Sequence, residues 1–178
     1  MRGYFGIGVE GISKAMNVGS LFRTAHAFGA SFVFTIAAVY DRDEGGLADT
    51  SDTGDQVPFY EYPDLASFTL PHGCQLVGIE IAKDANELPS FRHPRTAAYV
   101  LGSERFGLSE AMLARCAHVV RIPTRFSINL AIAGAIVLYD RTISLGRFAP
   151  RPVAAGGPTE SLAPPQFGPP AFRRRGPG

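Results

Sequence analysis

The sequence contains no tryptophan, three methionines, four histidines and two cysteines among 178 residues. The scarcity of cysteine and histidine closes off two classes of chemistry. Cys74 and Cys116 are too few for a disulfide framework and stand at no metal-ligand spacing. His26, His72, His93 and His118 are scattered, so no Cys/His cluster forms. The expectation is a reducing, cytoplasmic setting and no metal. A long apolar run is also missing. The longest, Ile128 to Tyr139, is too short to cross a bilayer and contains Asn129. The opening residues, MRGYFGIGVEGISK, lack the continuous apolar core of a secretory signal. No membrane partner is expected.

A large net charge is absent too: the whole chain carries +1. That small value hides two unlike regions. From Pro150 to Gly178 there are eight prolines and five glycines, with Arg151, Arg173, Arg174 and Arg175 against the single acid Glu160. This tail therefore carries +3 and residues 1–149 carry −2. A segment rich in proline and glycine and poor in aliphatic residues cannot offset its ordering entropy, so 150–178 is expected to be disordered. The FRRRG near its end either touches phosphates or only solubilises. Residues 1–149 are expected to form one globular domain, since the chain is 46% hydrophobic and 19% charged.

Within that domain, strands alternate with helices. YFGIGV (Tyr4 to Val9), SFVFTIA (Ser31 to Ala37), QLVGIEIA (Gln75 to Ala82), AAYVLG (Ala97 to Gly102) and HVVRI (His118 to Ile122) read as buried strands. Between the first two lies an amphipathic helix that buries Val18, Leu21, Phe22, Ala25 and Phe28, positions at helical spacing. Asn17 stands where an N-cap belongs, Gly29 where a helix stops, and Arg23 points away from the apolar stripe. Taken alone, this is a capped helix with one solvated arginine. Asp41 to Gln56 is a polar loop long enough to be functional or mobile. Asp64 is expected to cap a short helix, DLASFTL, and Ser109 another, Glu110 to Cys116. The last helix is expected from about Ser127 to Gly146, with Ser127 as its N-cap. It is apolar almost all round, which suits a core helix or one shared with a partner. The alternation predicts an α/β fold, a mostly parallel sheet flanked by helices. Ligands in such folds bind where loops leave the carboxyl ends of strands. GSERFG and IPTRFS stand at two such ends.

GSERFG is neither a Walker loop nor a Rossmann fingerprint. Gly102 and Gly107 allow a ligand to approach the main chain. Asn129 interrupts the apolar run that opens the last helix and, if buried, needs partners.

NVGSLFRTAHAFGA, YVLGSERFGLSE and RIPTRFSINLAIAGAIVLYD, in that order, resemble the three motifs of the SpoU family of SPOUT RNA methyltransferases. The matches are Asn-x-Gly-x-x-x-Arg-Thr/Ser-Ala, Gly-x-Glu-x-x-Gly-Leu, and Ile-Pro with Ser-Leu-Asn-Val and Leu-Tyr-Asp/Glu. The resemblance covers Tyr4 to about Arg147. Here the third motif reads Ser-Ile-Asn-Leu, and only TRF separates Pro123 from Ser127.

This resemblance implies a carboxyl-terminal trefoil knot, S-adenosylmethionine as cofactor, a homodimer, and methyl transfer to a ribose 2′-hydroxyl in tRNA or rRNA. It assigns Ile79, Leu101, Gly102, Ile122, Pro123 and Ile128 to the cofactor pocket. It makes Arg23 the catalytic arginine, with Asn17, Glu104, Ser127 and Asn129 as the polar residues around it. Lys14, Arg23, Arg105 and Arg125 are the candidate RNA-binding cations of an otherwise slightly acidic body. The segment ADTSDTGDQVPFYEY resembles one that follows the second strand in relatives and either borders the RNA or packs the dimer. A guanidinium holds its proton at neutral pH, so Arg23 is read as a cation that orients the substrate and stabilises the alkoxide, not as a base. A base-methylating SPOUT enzyme and an RNA-binding module without turnover are the competing readings. A general nucleotide-binding α/β domain is another.

Overall fold

The computed structural model describes residues 3–39, 57–146, 148, 155 and 156. The chain separates into two units, Met1–Gly146 and Arg147–Gly178. The fold is that of the first unit. The polar segment 41–56 and nearly all of the tail 150–178 lie outside the described residues.

Strands β1 (Phe5–Glu10), β2 (Phe32–Ile36), β3 (Phe59–Tyr62), β4 (Gln75–Ile79), β5 (Asn86–Glu87), β6 (Ala97–Leu101) and β7 (His118–Arg121) form one sheet. Its order is β3-β2-β1-β6-β4-β7-β5, and every pairing is parallel. The helices are α1 (Ala15–Ala27), α2 (Glu110–Arg115) and α3 (Leu130–Leu145), with a short 3-10 turn at Leu88–Ser90. A parallel sheet with both faces covered needs strands that are apolar throughout. β2 and β6 are buried at every position, and β1 at all but its last.

Side chains alternate between two layers. Ile7, Val9, Val33, Val77 and Tyr99 face α1 and α3. Phe32, Phe34, Leu76, Ala98 and Val100 face α2 and the turn at Phe68. β1 shows why FGIGV has glycine at every second place. A Cβ at Gly6 would overlap the Phe32 ring, and one at Gly8 the Phe34 ring and main chain. The missing side chains make the groove in which the β2 phenylalanines lie.

Helix α1 ends in a Schellman closure: Ala30 N–H donates to Ala25 O at 2.9 Å and Gly29 N–H to His26 O at 2.9 Å. Gly29 therefore stops the helix as expected. The amino end differs from expectation. The N-cap position is Lys14, and Asn17 lies inside the first turn. At α3 the expected cap also moves. Asn129 is the N-cap, its Oδ1 accepting from Ala131 N at 2.9 Å and Ile132 N at 3.4 Å, so Ser127 lies outside the helix. The short spacer after Pro123 is used to reach the cap, and helix begins only at Leu130. Ser109 caps α2 as expected, accepting from Met112 N at 3.1 Å.

DLASFTL forms no helix. Asp64 Oδ1 accepts from Ser67 N at 2.8 Å and closes a single turn. That bond lowers the Asp64 pKa. The turn then extends to lay Phe68 on Phe34, ring centroids 5.2 Å apart. Arg115, at the end of α2, donates to Leu65 O and Phe68 O at 2.6 and 2.8 Å. Those contacts hold a non-helical segment that local propensity does not hold by itself. The edge strands β3 and β5 were also not expected. Their residues are mostly exposed, so they carry no apolar signature.

A second set of buried polar groups fastens α3 at the other end of the sheet. Arg141 donates to Pro94 O at 2.6 Å, Arg95 O at 2.7 Å and Tyr99 Oη at 3.1 Å. His93 bonds Tyr99 Oη through Nδ1 at 2.6 Å and Asp140 through Nε2 at 2.9 Å. Burial pushes the Tyr99 hydroxyl up to about 12, so it remains a donor and acceptor.

Candidate functional site

The carboxyl ends of β4, β6 and β7 and the start of α3 enclose a cavity of about 300 Å³. Ile79, Leu101, Ile122, Ile128, Leu130 and Ala133 supply apolar wall, and Ser103, Glu104, Thr124, Ser127 and Asn129 supply polar rim. Of the six residues assigned to the cofactor, Ile79, Leu101, Gly102, Ile122 and Ile128 line this cavity. Pro123 is not among its lining residues; it lies two positions beyond the end of β7, between the lining residues Ile122 and Thr124.

The loop after β6 is closed on itself. Gly107 N–H donates to Ser103 O at 2.9 Å, and the two residues form an isolated bridge. A Cβ at Gly102 would overlap the main chain of Gly107 and Leu108. The loop's own fold therefore demands this glycine, before any ligand does. Gly107 has φ +68, and a Cβ there would strike the Glu80 carboxylate.

Sequence reasoning missed the two acids that hold this loop. Glu80 accepts from Leu108 N at 2.7 Å and Ile81 N at 2.9 Å. Glu10 accepts from Ser109 N at 2.8 Å and Ser109 Oγ at 2.7 Å. Each stands at or just after the end of a strand, and acids there were the available signal. Their partners lie 28 and 99 positions away, which no local pattern reveals.

At the rim, the three motif segments meet in one polar chain. Glu104 pairs with Lys14 and accepts from Asn17 Nδ2. Asn17 Oδ1 accepts from Asn129 Nδ2 at 3.2 Å. Asn129 in turn caps α3 through its other amide atom. The network brings Lys14, Asn17, Glu104 and Asn129 together, with Ser127 beside them on the cavity wall. Lys14, one of the candidate RNA cations, pairs with Glu104. Arg105 and Arg125 are exposed on the two rim loops. Arg23 is exposed on α1, six residues beyond Asn17, or about 9 Å along the helix axis. It is not among the residues that line the cavity.

The cavity suits a nucleoside-bearing cofactor on its own chemistry. Aliphatic walls can cover a flat purine, the loop at Gly102 exposes main chain, and the rim supplies hydroxyl and carboxylate partners. Neither cysteine offers an activated thiol. Burial raises the Cys74 thiol and pushes that of Cys116 up to about 11. Among the described residues, no group of three or more His, Cys, Asp or Glu is placed to hold a metal.

Residues 5–139 match the model of the SpoU rRNA Methylase family. The chain belongs to the SpoU family. The match spans the first two motif segments, the third as far as Tyr139, and the whole rim network. The SpoU chain is similar to the tRNA (guanosine(18)-2′-O)-methyltransferase TARBP1 of Mus musculus, with 25% identity over 139 residues, covering 74% of this chain and 9% of that protein. It is similar to the 23S rRNA (guanosine-2′-O-)-methyltransferase RlmB of Neisseria meningitidis, with 28% identity over 143 residues, 74% of this chain and 55% of that protein. Its fold matches the SpoU methyltransferase AviRb of Streptomyces viridochromogenes, solved with AdoMet, at a TM-score of 0.70 and 24% identity. That match covers 81% of this chain and 59% of AviRb. The chain therefore spans less than two thirds of each of these relatives.

Proposed function

We propose that this SpoU chain transfers a methyl group from S-adenosylmethionine to a ribose 2′-hydroxyl of tRNA or rRNA. The observation that carries the reading is the rim network. Asn17, Glu104 and Asn129 come one from each motif segment and meet, with Lys14, at the mouth of one apolar cavity. The Mus musculus and Neisseria meningitidis relatives are named as 2′-O-methyltransferases of tRNA and 23S rRNA, and AviRb was solved with AdoMet.

Ile79, Leu101, Ile122 and Ile128 hold the cofactor's adenosine by burial, and main chain at Gly102 fixes it. The bound cofactor supplies a sulfonium methyl with a good leaving group. The chain's task is to align the hydroxyl with that methyl and stabilise charge on the oxygen. Asn17 and Asn129 are fixed donors and acceptors at the rim, locked by Glu104 and the α3 amino terminus. Their preorganisation limits the reorganisation needed when charge develops. Arg23 binds a phosphate and steadies the alkoxide as a permanent cation, and the hydroxyl proton passes to solvent as the methyl is transferred.

A homodimer completes this site. Arg23 is not a lining residue of its own chain's cavity, and a partner copy is the route by which it meets substrate. Support comes from α3. Its inner side buries Leu130, Val137 and Leu138, while Ile132, Ile136 and Tyr139 stay 55%, 37% and 52% exposed at helical spacing. A carboxyl-terminal trefoil knot is our reading of the path in which α3 follows β7 yet packs against α1. An experimental trace with α3 passing outside the 102–108 loop would overturn it. A cytoplasmic location agrees with two free thiols and with the absence, among the described residues, of a helix long and apolar enough to cross a membrane.

The deciding experiment is methyl transfer from labelled S-adenosylmethionine to small RNA and rRNA, followed by nucleoside digestion. A labelled 2′-O-methylnucleoside is expected. A labelled base would make the chain a base methyltransferase, and cofactor binding without transfer to any RNA would make it a binding module.

A further inference from the structure

Among the described residues, the two most exposed aromatic rings are Phe106 and Phe126, 84% and 75% exposed. Each follows an arginine, as Arg105-Phe106 and Arg125-Phe126. Each stands on one of the loops that rim the cavity. Phe106 lies between the lining residues Glu104 and Gly107, and Phe126 between Thr124 and Ser127. The first loop is built to hold its ring outward. Phe106 N–H donates to Ser103 Oγ at 3.2 Å, and the Gly107 bond to Ser103 O closes the turn behind it. The Arg105 guanidinium sits 5.9 Å from the Phe106 ring centroid, which widens one flat surface with another.

The chemistry of these pairs differs from that of the exposed α3 face. Ile132, Ile136 and Tyr139 form an apolar stripe without charge, the composition of an interface core. Each loop ring stands next in sequence to an arginine, and Arg105 lies against the Phe106 ring. Their acid, Glu104, is already taken by Lys14 and Asn17. Flat rings beside cations match an unpaired nucleic-acid strand, which offers base faces and phosphates together. A duplex offers phosphates but keeps its base faces stacked.

We propose that Phe106 and Phe126 are stacking platforms for unpaired nucleotides flanking the ribose presented to the cavity, with Arg105 and Arg125 on the adjoining phosphates. This rests on the methyltransferase reading and narrows its substrate to single-stranded or loop RNA.

The chain lacks tryptophan, so Phe106→Trp or Phe126→Trp places a single indole in the full-length protein. Each variant is titrated with a mixed-sequence unpaired RNA oligonucleotide and with the same strand annealed to its complement. Unpaired RNA is expected to quench the indole and to bind at least tenfold more tightly than duplex. Phe106→Leu and Phe126→Leu keep apolar bulk but lose the flat face. Each is expected to weaken binding of unpaired RNA by roughly tenfold, with affinity for S-adenosylhomocysteine and elution volume unchanged. Equal quenching by duplex, or leucine variants that bind RNA like wild type, overturns the platforms. A shift to monomer in the leucine variants assigns the rings to a contact between copies and also overturns them. Methyl transfer by the unmutated protein, run in parallel, decides the underlying reading separately: its absence sinks the enzyme, while the indole titration decides the platforms.

Discussion

Asn129 Nδ2 donates to Asn17 Oδ1 at 3.2 Å, joining residues 112 positions apart. The same Asn129 side chain caps α3. One residue thus fixes a helix start and a site geometry, and the two roles separate by mutation. Asn129→Ser keeps a capping oxygen but is too short to reach Asn17. Its melting temperature is expected near wild type, with methyl transfer reduced by more than tenfold. Asn129→Ala loses both roles, with a further cost of about 1 kcal/mol, or about 3 °C in melting temperature. Full activity in Asn129→Ser would confine the residue to capping.

Gly102→Ala forces a Cβ into the main chain of Gly107 and Leu108. Backbone cannot swing aside as a side-chain tip can. A loss of about 1–3 kcal/mol in stability is expected, and calorimetry should show S-adenosylhomocysteine binding weakened by at least tenfold. Unchanged cofactor affinity would mean that the loop does not shape the cofactor site.

Arg23 is assigned a role that depends on a planar, permanently charged fork. Arg23→Lys keeps charge and loses bidentate geometry. Turnover is expected to fall by about tenfold or more, with S-adenosylhomocysteine binding intact. Near-full turnover in the lysine variant would remove the geometric role.

The exposed α3 stripe predicts the oligomer. Ile132→Glu combined with Ile136→Glu places two charges on the stripe, and sedimentation should show a monomer. A monomer that transfers methyl at the wild-type rate would show that a second copy is not needed for catalysis.

His93 predicts a pH dependence of stability. Burial lowers its pKa below the ordinary 6.5, although the bond and charge of Asp140 oppose the shift, and Arg141 adds to it. Between the lowered native value and 6.5, the unfolded chain binds a proton that the native state does not. Stability therefore rises with pH across that window and is lost as pH falls below about 6.5. Melting curves from pH 7.5 to 5 should show this slope, and His93→Gln should flatten it. An identical slope in the variant would assign the dependence to other groups.

The strands that bury both faces were legible in the sequence because each is apolar throughout, whatever its neighbours. Helix α1 was legible from its spacing, and the three motif segments pointed to the family from residue types alone. The edge strand Phe59–Tyr62 was not legible, since a mostly exposed strand has no apolar pattern and exists only because β2 offers hydrogen bonds. DLASFTL has a helical composition, but the segment makes a single turn at Asp64 and lays Phe68 on Phe34. Asn129 was visible as a polar intrusion, and its cap role required knowing where α3 begins. Glu10, Glu80, His93 and Arg141 could not be placed at all, because their partners are distant in the chain.

By itself, the sequence determined the alternation of strand and helix and the residue types of the site, because periodicity and side-chain chemistry are local. Only the tertiary structure decided which polar atoms meet at the rim, which glycine the loop itself requires, and which faces of α3 stay uncovered. Those are outcomes of long-range packing, where a hydrogen bond between residues 17 and 129 forms only after the sheet has brought both helices to one end.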